Sequence, residues 1–133
     1  MRKAFGATAA RPFAPALHKH LTRNLVDASI DQGKYRRQFA ADVPAADAAV
    51  MAATQRPVST FALEDKAGEA AWKTVSSRAL VATADKNVPP AAERWMARRA
   101  GSHITEVDAS HAVPVSRPTV VTDVILDAAR STH

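Results

Sequence analysis

Two side chains in the second half of the sequence could together perform acid–base chemistry. Asp85 follows a short apolar run at residues 79–83, and His111 follows a second one at residues 104–107. An aspartate that orients the Nδ1–H of a histidine leaves Nε2 as a base, which is the acid–histidine pair of nucleophilic hydrolysis. Their spacing is weak support by itself, because an Asp after a strand is commonly a turn residue or cap and a lone loop His commonly has no special role.

The elements around these two residues predict a parallel β-α-β-α unit. Residues 79–83 and 104–107 are short and apolar, as buried parallel strands are. Residues 89–101, bounded by a proline pair and a glycine, predict the helix between them, and residues 116–128 predict a final helix. Because ligands of such sheets bind beyond the carboxyl ends of the strands, this unit brings both side chains to one rim of the sheet.

Upstream of this unit the sequence predicts helices. Residues 34–41 and 44–54 are Ala-rich helical segments, and residues 68–74 predict a short third helix. The predicted organisation is a basic, poorly structured leader at residues 1–30, a helical segment at residues 31–76 and the β-α-β-α unit at residues 77–133.

The net charge of +5 belongs to one end of the chain. Residues 1–37 hold eight Lys/Arg and two acids, which gives +6, whereas residues 38–133 hold ten Lys/Arg and eleven acids, which gives −1. A basic arm can contact phosphate without sequence preference, but the remainder offers no basic excess, so a nucleic-acid partner is not expected. A transit peptide is an alternative for the leader. It is disfavoured because the leader has few serines and because Pro12 and Pro15 interrupt the amphipathic pattern that such peptides show.

Several other classes of site are not expected from this sequence. Cysteine is absent, which excludes disulfides and thiol chemistry and fits a reducing compartment, so we expect a cytoplasmic protein. No apolar run approaches the roughly 18 residues that a membrane span needs, so we expect a soluble one. His18 and His20 have no carboxylate nearby to complete a metal site, and there is no phosphate loop, so neither metal nor cofactor is predicted.

Stretches around Asp85 and His111 resemble the C-terminal half of small, lidded α/β-hydrolases of an esterase-like branch. Residues 80–101, LVATADKNVPPAAERWMARRAG, are similar to the acid segment, in which an apolar strand leads to an Asp, a Val-Pro turn and a helix with an Arg-Trp-Met run. Residues 106–118, EVDASHAVPVSRP, are similar to the histidine segment, and residues 34–57 contain stretches similar to lid helices. The resemblance covers roughly residues 31–129.

This resemblance implies a fold class, two catalytic residues and a substrate class. The fold would be α/β, the C-terminal part of an α/β-hydrolase, with a helical lid segment, parallel strands and an incomplete sheet. Asp85 would be the acid and His111 the base of a catalytic triad. A small ester-type substrate is implied, and no cofactor.

The nucleophile of the family is missing from the sequence. In the family a Ser on a G-x-S-x-G elbow precedes the acid and the histidine, but no two of Gly6, Gly33, Gly68 and Gly101 are four residues apart. We therefore expect a truncated hydrolase that keeps a triad remnant and is inactive alone. Two alternatives are a non-catalytic interaction module and a split hydrolase completed by a partner chain. A sheet of only two strands leaves strand edges exposed, and such an edge also predicts self-association.

Overall fold

The structure, a computed structural model, describes residues 17–22 and 25–131, and the side chains of residues 28–131. The chain divides into two compact units. Of the described residues, those up to Arg37 and Pro44–Lys66 form the first unit, and Gln38–Val43 together with those from Ala67 onward form the second.

The first unit combines a three-stranded antiparallel sheet with helices. Its strands, with β2 in the centre, are β1 (Leu17–Thr22), β2 (Leu25–Ile30) and β3 (Val58–Ser59). Its helices are α1 (Gln32–Phe39), whose last two residues belong to the second unit, α2 (Ala45–Thr54) and α3 (Thr60–Glu64). The predicted helices at residues 34–41 and 44–54 correspond to α1 and α2.

One side chain ties the end of α2 to β2. Gln55 follows α2 directly, and its Nε2 donates to the Ile30 carbonyl at 2.7 Å while its Oε1 accepts the Ile30 amide at 2.9 Å. These two bonds are of the kind that a neighbouring strand would make, so the amide and the carbonyl of Ile30 both have hydrogen-bond partners.

Strands β1 and β2 lie in a segment for which the sequence predicts little structure. The expectation of a poorly structured leader over residues 1–30 is wrong for residues 17–22 and 25–30, which pair as antiparallel strands. Residues 1–16 of that leader lie outside the described part of the chain. Backbone hydrogen bonds between the two strands define this hairpin, and such bonds leave only a weak trace in side-chain pattern.

The second unit contains the predicted β-α-β-α order. Its elements are β4 (Arg78–Ala82), α4 (Pro90–Arg99), β5 (His103–Val107), α5 (Val113–Ser116) and α6 (Pro118–Arg130), preceded by a short 3-10 helix (Ala71–Lys73). β4 and β5 are parallel, with Ala82 opposite Val107, and within the described residues they pair only with each other. No helix in the described ranges is long and apolar enough to cross a lipid bilayer.

Small side chains form the core of this second unit. Ala82, Ala109 and Val113 are buried together, and partly buried Leu80 and Val121 pack against them. Trp72 and Trp95 are not part of this core, since they are 38% and 43% exposed. Instead, the guanidinium carbon of Arg99 lies 5.7 Å from the ring centroid of Trp72 and 5.5 Å from that of Trp95.

The C-terminus of α4 has the predicted glycine stop. Gly101 has φ +68°, its amide donates to the Arg98 carbonyl, and the next amide, of Ser102, donates to the Ala97 carbonyl. This is the Schellman pattern, in which a left-handed residue satisfies the last carbonyls of the helix.

We expect Gly101→Ala to lower the free energy of unfolding by about 1 kcal/mol, the cost of a left-handed conformation for a residue with a Cβ. A Cβ at Gly101 would meet no atom within 4 Å, so the loss would come from the backbone and not from a clash. Urea unfolding of the variant measures it. Gly68→Ala is the matched control, because its Cβ would also meet nothing and Gly68 lacks a positive φ. Equal stability of both variants would contradict the expectation.

Candidate active site

Asp85 is fixed at the end of β4 by its own turn. Its side chain is 1% exposed, and Oδ1 accepts the amides of Asn87 at 2.6 Å and of Val88 at 3.1 Å. Its backbone amide donates to the Ala82 carbonyl at 3.2 Å. The carboxylate therefore has one oxygen occupied by backbone donors and the other, Oδ2, directed elsewhere.

His111 meets that second oxygen. Its Nδ1 lies 2.6 Å from Asp85 Oδ2, so the predicted contact between the two side chains is confirmed. The His111 side chain is 34% exposed, and its ring centroid lies 4.6 Å from that of Phe39, at an interplanar angle of 55°. With Nδ1 bound to the carboxylate, Nε2 is the nitrogen that is left to exchange a proton.

The strand register brings the two residues together. Beyond the last paired residues of β4 and β5, the Thr83 amide donates to the Val107 carbonyl at 2.9 Å and the Ala84 amide to the Ala109 carbonyl at 3.1 Å. Pairing thus continues almost to both site residues, and it brings to one rim two side chains that lie 26 positions apart in sequence.

Glu93 is a third ionisable group at this rim, and the sequence patterns do not predict its place there. A carboxylate oxygen of Asp85, a carboxylate oxygen of Glu93 and a ring nitrogen of His111 all lie within 4.8 Å of one another. Glu93 Oε2 accepts the Ala82 amide at 3.2 Å. Successive backbone amides of a strand point to opposite edges of that strand. The Thr83 amide points towards β5, so the Ala82 amide lies on the other edge of β4.

A metal ion is one possible occupant of such a carboxylate–histidine group. However, the 2.6 Å between His111 Nδ1 and Asp85 Oδ2 is a hydrogen-bond distance, so this nitrogen is engaged with the carboxylate. The geometry therefore suits a proton between the two groups, and the absence of a metal stays a prediction.

A small cavity opens beside the three groups. Its volume is about 280 Å³, and its apolar lining comes from Leu80, Ala82, Val113, Pro114 and Val121. A mostly apolar pocket with a few convergent polar groups is the usual form of a small-molecule site. A larger cavity of about 510 Å³ lies in the first unit, where Asp31 is the ionisable residue of its lining, so it offers no acid–base pair.

Burial raises the pKa of the Glu93 carboxyl, and the charge of Asp85 and a hydrogen bond with it raise this pKa further. The Ala82 amide and the charge of His111 act in the opposite direction but do not cancel the increase. Glu93 therefore keeps its proton to a higher pH in the folded chain than in the unfolded chain.

We expect Glu93→Gln to become more stable relative to the parent chain as pH rises. The folded pKa of Glu93 is raised, so its stabilising contribution is present below the ordinary value of 4.5 and is lost as pH rises through the raised pKa. Glutamine does not ionise and avoids that loss. Urea unfolding of both chains at pH 4 and pH 8 tests this, with exposed Glu69→Gln as the control. A difference between variant and parent that is independent of pH would contradict it.

Comparison with known proteins identifies the family. A profile described as "Alpha/beta hydrolase family" matches residues 2–124. No curated protein matches the sequence. Polyneuridine aldehyde esterase superposes with a TM-score of 0.74 at 16% identity, over 90% of this chain and 51% of that one. Pyrethroid hydrolase PytH gives a TM-score of 0.65 at 17% identity, over 93% of this chain and 51% of that one.

The chain belongs to the alpha/beta hydrolase family. Its predicted fold class is confirmed as well, namely part of an α/β-hydrolase fold with a parallel strand pair and an incomplete sheet. The chain spans about half the length of the solved structures that it resembles. Catalytic roles for Asp85 and His111 stay predictions, since the geometry places the residues but does not test their chemistry.

Proposed function

We propose that these residues form the acid–histidine half of an ester hydrolase, with Asp85 as the acid and His111 as the base. The observation that carries the proposal is the 2.6 Å contact between Asp85 Oδ2 and His111 Nδ1 at the rim of a parallel strand pair. An ester-type substrate is supported by the names of the two similar structures, an esterase and a pyrethroid hydrolase.

The reaction follows from the free nitrogen of His111. Nε2 takes the proton of a serine hydroxyl while the serine oxygen attacks the ester carbonyl, and the Asp85 carboxylate stabilises the imidazolium that forms. Nε2 then gives the proton to the leaving alkoxide. In the second half of the reaction Nε2 takes a proton from a water molecule while the water oxygen attacks the acyl carbon. Nε2 then returns the proton to the serine oxygen as the bond of that oxygen to the acyl carbon breaks.

The serine must come from outside these 133 residues, since none of them forms a G-x-S-x-G elbow. We propose that a Ser-bearing half, on another segment of a longer protein or on a separate chain, supplies the nucleophile and the oxyanion amides. The 133 residues alone should then hydrolyse short-chain nitrophenyl esters no faster than their His111→Ala variant.

The test compares two preparations, the chain alone and the chain joined to or co-expressed with a Ser-bearing N-terminal half of an alpha/beta hydrolase. Ester hydrolysis should appear only in the second. A burst of product from the chain alone that disappears in His111→Ala would contradict the proposal that the nucleophile comes from outside these 133 residues.

A second candidate function is an interaction module that uses the open sheet. Within the described ranges β4 and β5 pair only with each other, and Ile104 on β5 is 36% exposed. Such edges pair readily with another chain, and the partner proposed for this function is a second copy of this one. Light scattering after size exclusion distinguishes this function, because it requires a dimer or larger species that Ile104→Lys converts to a monomer.

A further inference from the structure

A short segment of the second unit contacts both loops that carry the proposed catalytic residues. We call this segment, residues 38–43, the strap. The acid loop is residues 83–88, and the histidine loop is residues 108–112. The strap comes from a distant part of the sequence, yet it belongs to the same compact unit as the two loops.

On the acid side the strap reaches Asp85 through one intermediate residue. Gln38 Nε2 donates to Asn87 Oδ1 at 3.0 Å, and Asn87 Nδ2 lies 3.5 Å from the Gln38 carbonyl. Asn87 is 4% exposed, and its backbone amide donates to Asp85 Oδ1 at 2.6 Å. Gln38 is therefore linked to the Asp85 carboxylate through a single buried residue, Asn87, which binds Gln38 with its side chain and Asp85 with its backbone amide.

On the histidine side the contacts are equally direct. The Phe39 carbonyl accepts the Ala112 amide at 3.1 Å, and the Phe39 ring packs on the ring of His111. Ser110, which is 1% exposed, donates a hydrogen bond from its hydroxyl to Asp42 Oδ1. Both residues that flank His111 are thus bound to the strap.

The strap is itself anchored by burial. Ala40 is fully buried and Val43 is 1% exposed, so the backbone between Gln38 and Asp42 has little freedom to shift. The second carboxylate oxygen of Asp42 is buried without a hydrogen bond, and Arg117 Nη1 lies 3.7 Å from it. An asparagine at this position would retain an acceptor for Ser110.

We propose that Gln38 and Asp42 are positioning residues, which hold Asp85 and His111 at hydrogen-bond distance by acting through Asn87 and Ser110. The inference rests on the proposed function, because it assigns a purpose to the acid–histidine contact. The two site residues follow different strands, and strand pairing fixes only the start of each loop. The strap is the segment that binds both loops beyond that point.

The experiment records the Nδ1 proton of His111 by NMR in the full chain, at low temperature. A proton held between imidazole and carboxylate gives a far-downfield resonance, which His111→Ala assigns by removing it. Gln38→Ala and Asp42→Ala should broaden this resonance and speed its exchange with water by about tenfold or more, about 1.4 kcal/mol of lost protection. Asp42→Asn should retain it, because the amide oxygen still accepts from Ser110.

Three controls separate positioning from a general loss of stability. Gln32→Ala and Asp47→Ala remove the same side-chain types at exposed positions and should leave the resonance unchanged. Gly101→Ala lowers stability away from the strap. If it broadens the resonance as much as the strap variants do, the effect is global and the positioning role is overturned.

The two proposals fail in different ways. A resonance that survives Gln38→Ala and Asp42→Ala overturns the strap but leaves the acid–histidine pair intact. Strap variants that lose the resonance, together with a completed hydrolase that is inactive, support the strap and overturn the proposed function. Absence of the resonance from the folded parent chain overturns the strap, since there is then no held contact to position.

Discussion

Replacing His111 by Ala in the hydrolase completed with a Ser-bearing half is expected to lower kcat/KM by about 10³–10⁴, because the general base is lost. Asp85→Asn should cost a similar factor. Its side chain can still occupy the turn, but an amide does not hold the imidazole in the tautomer that leaves Nε2 unprotonated. Initial rates on a short-chain nitrophenyl ester measure both effects.

The control for this pair is His103→Ala, at the exposed start of β5. It removes the same side chain from the same unit, and its rate should stay within about twofold of the parent, as expected of a surface change. A rate loss in His103→Ala equal to that of His111→Ala would show that folding, and not proton transfer, limits the completed enzyme.

Asp85→Ala is expected to destabilise the isolated chain by about 3 kcal/mol, because it leaves buried donors without an acceptor. The carboxylate accepts two backbone amides, of Asn87 and Val88, and contacts His111, while its side chain is 1% exposed. Asp85→Asn should cost less, since the amide oxygen can still accept the two backbone amides. Urea unfolding of the two variants measures the difference.

Asp123→Ala, an exposed change on α6, is the reference for that measurement and should lie within about 0.5 kcal/mol of the parent. If Asp85→Ala unfolds at the same urea concentration as Asp123→Ala, the turn at the end of β4 does not depend on the carboxylate. The described contacts would then contribute little to folding.

The sequence predicts the acid–histidine contact because two independent patterns agree. The apolar runs before Asp85 and His111 indicate buried strands, and parallel strands place their carboxyl ends on one rim. The structure puts these residues at the ends of β4 and β5 with the expected pairing. The final helix, predicted over residues 116–128, is present as α6.

The β1–β2 hairpin could not be predicted from the same kinds of signal. Residues 17–22, LHKHLT, alternate only weakly between apolar and polar side chains, and residues 17–30 contain no glycine of the kind that marks many two-residue hairpin loops. Pairing between backbones defines these strands, and side-chain patterns report it poorly.

The positions of Glu93 and of the strap could not be predicted from the sequence for a different reason. Glu93 reaches the site only because α4 begins near the end of β4, so its distance from Asp85 depends on tertiary packing. Asp42 lies 68 residues from Ser110, and a single sequence carries no signal for such a contact. In the structure α2 begins at Ala45, and the carboxylate of Asp42 binds the histidine loop.

The hydrogen bond between Glu93 and the Ala82 amide has a consequence for assembly. A strand that adds to this edge of β4 must take that amide from the carboxylate, so the arriving chain competes with a side chain already in place. Glu93 then changes its surroundings and with them its affinity for a proton. Strand addition and proton uptake are therefore thermodynamically linked, and each alters the equilibrium of the other by the same factor.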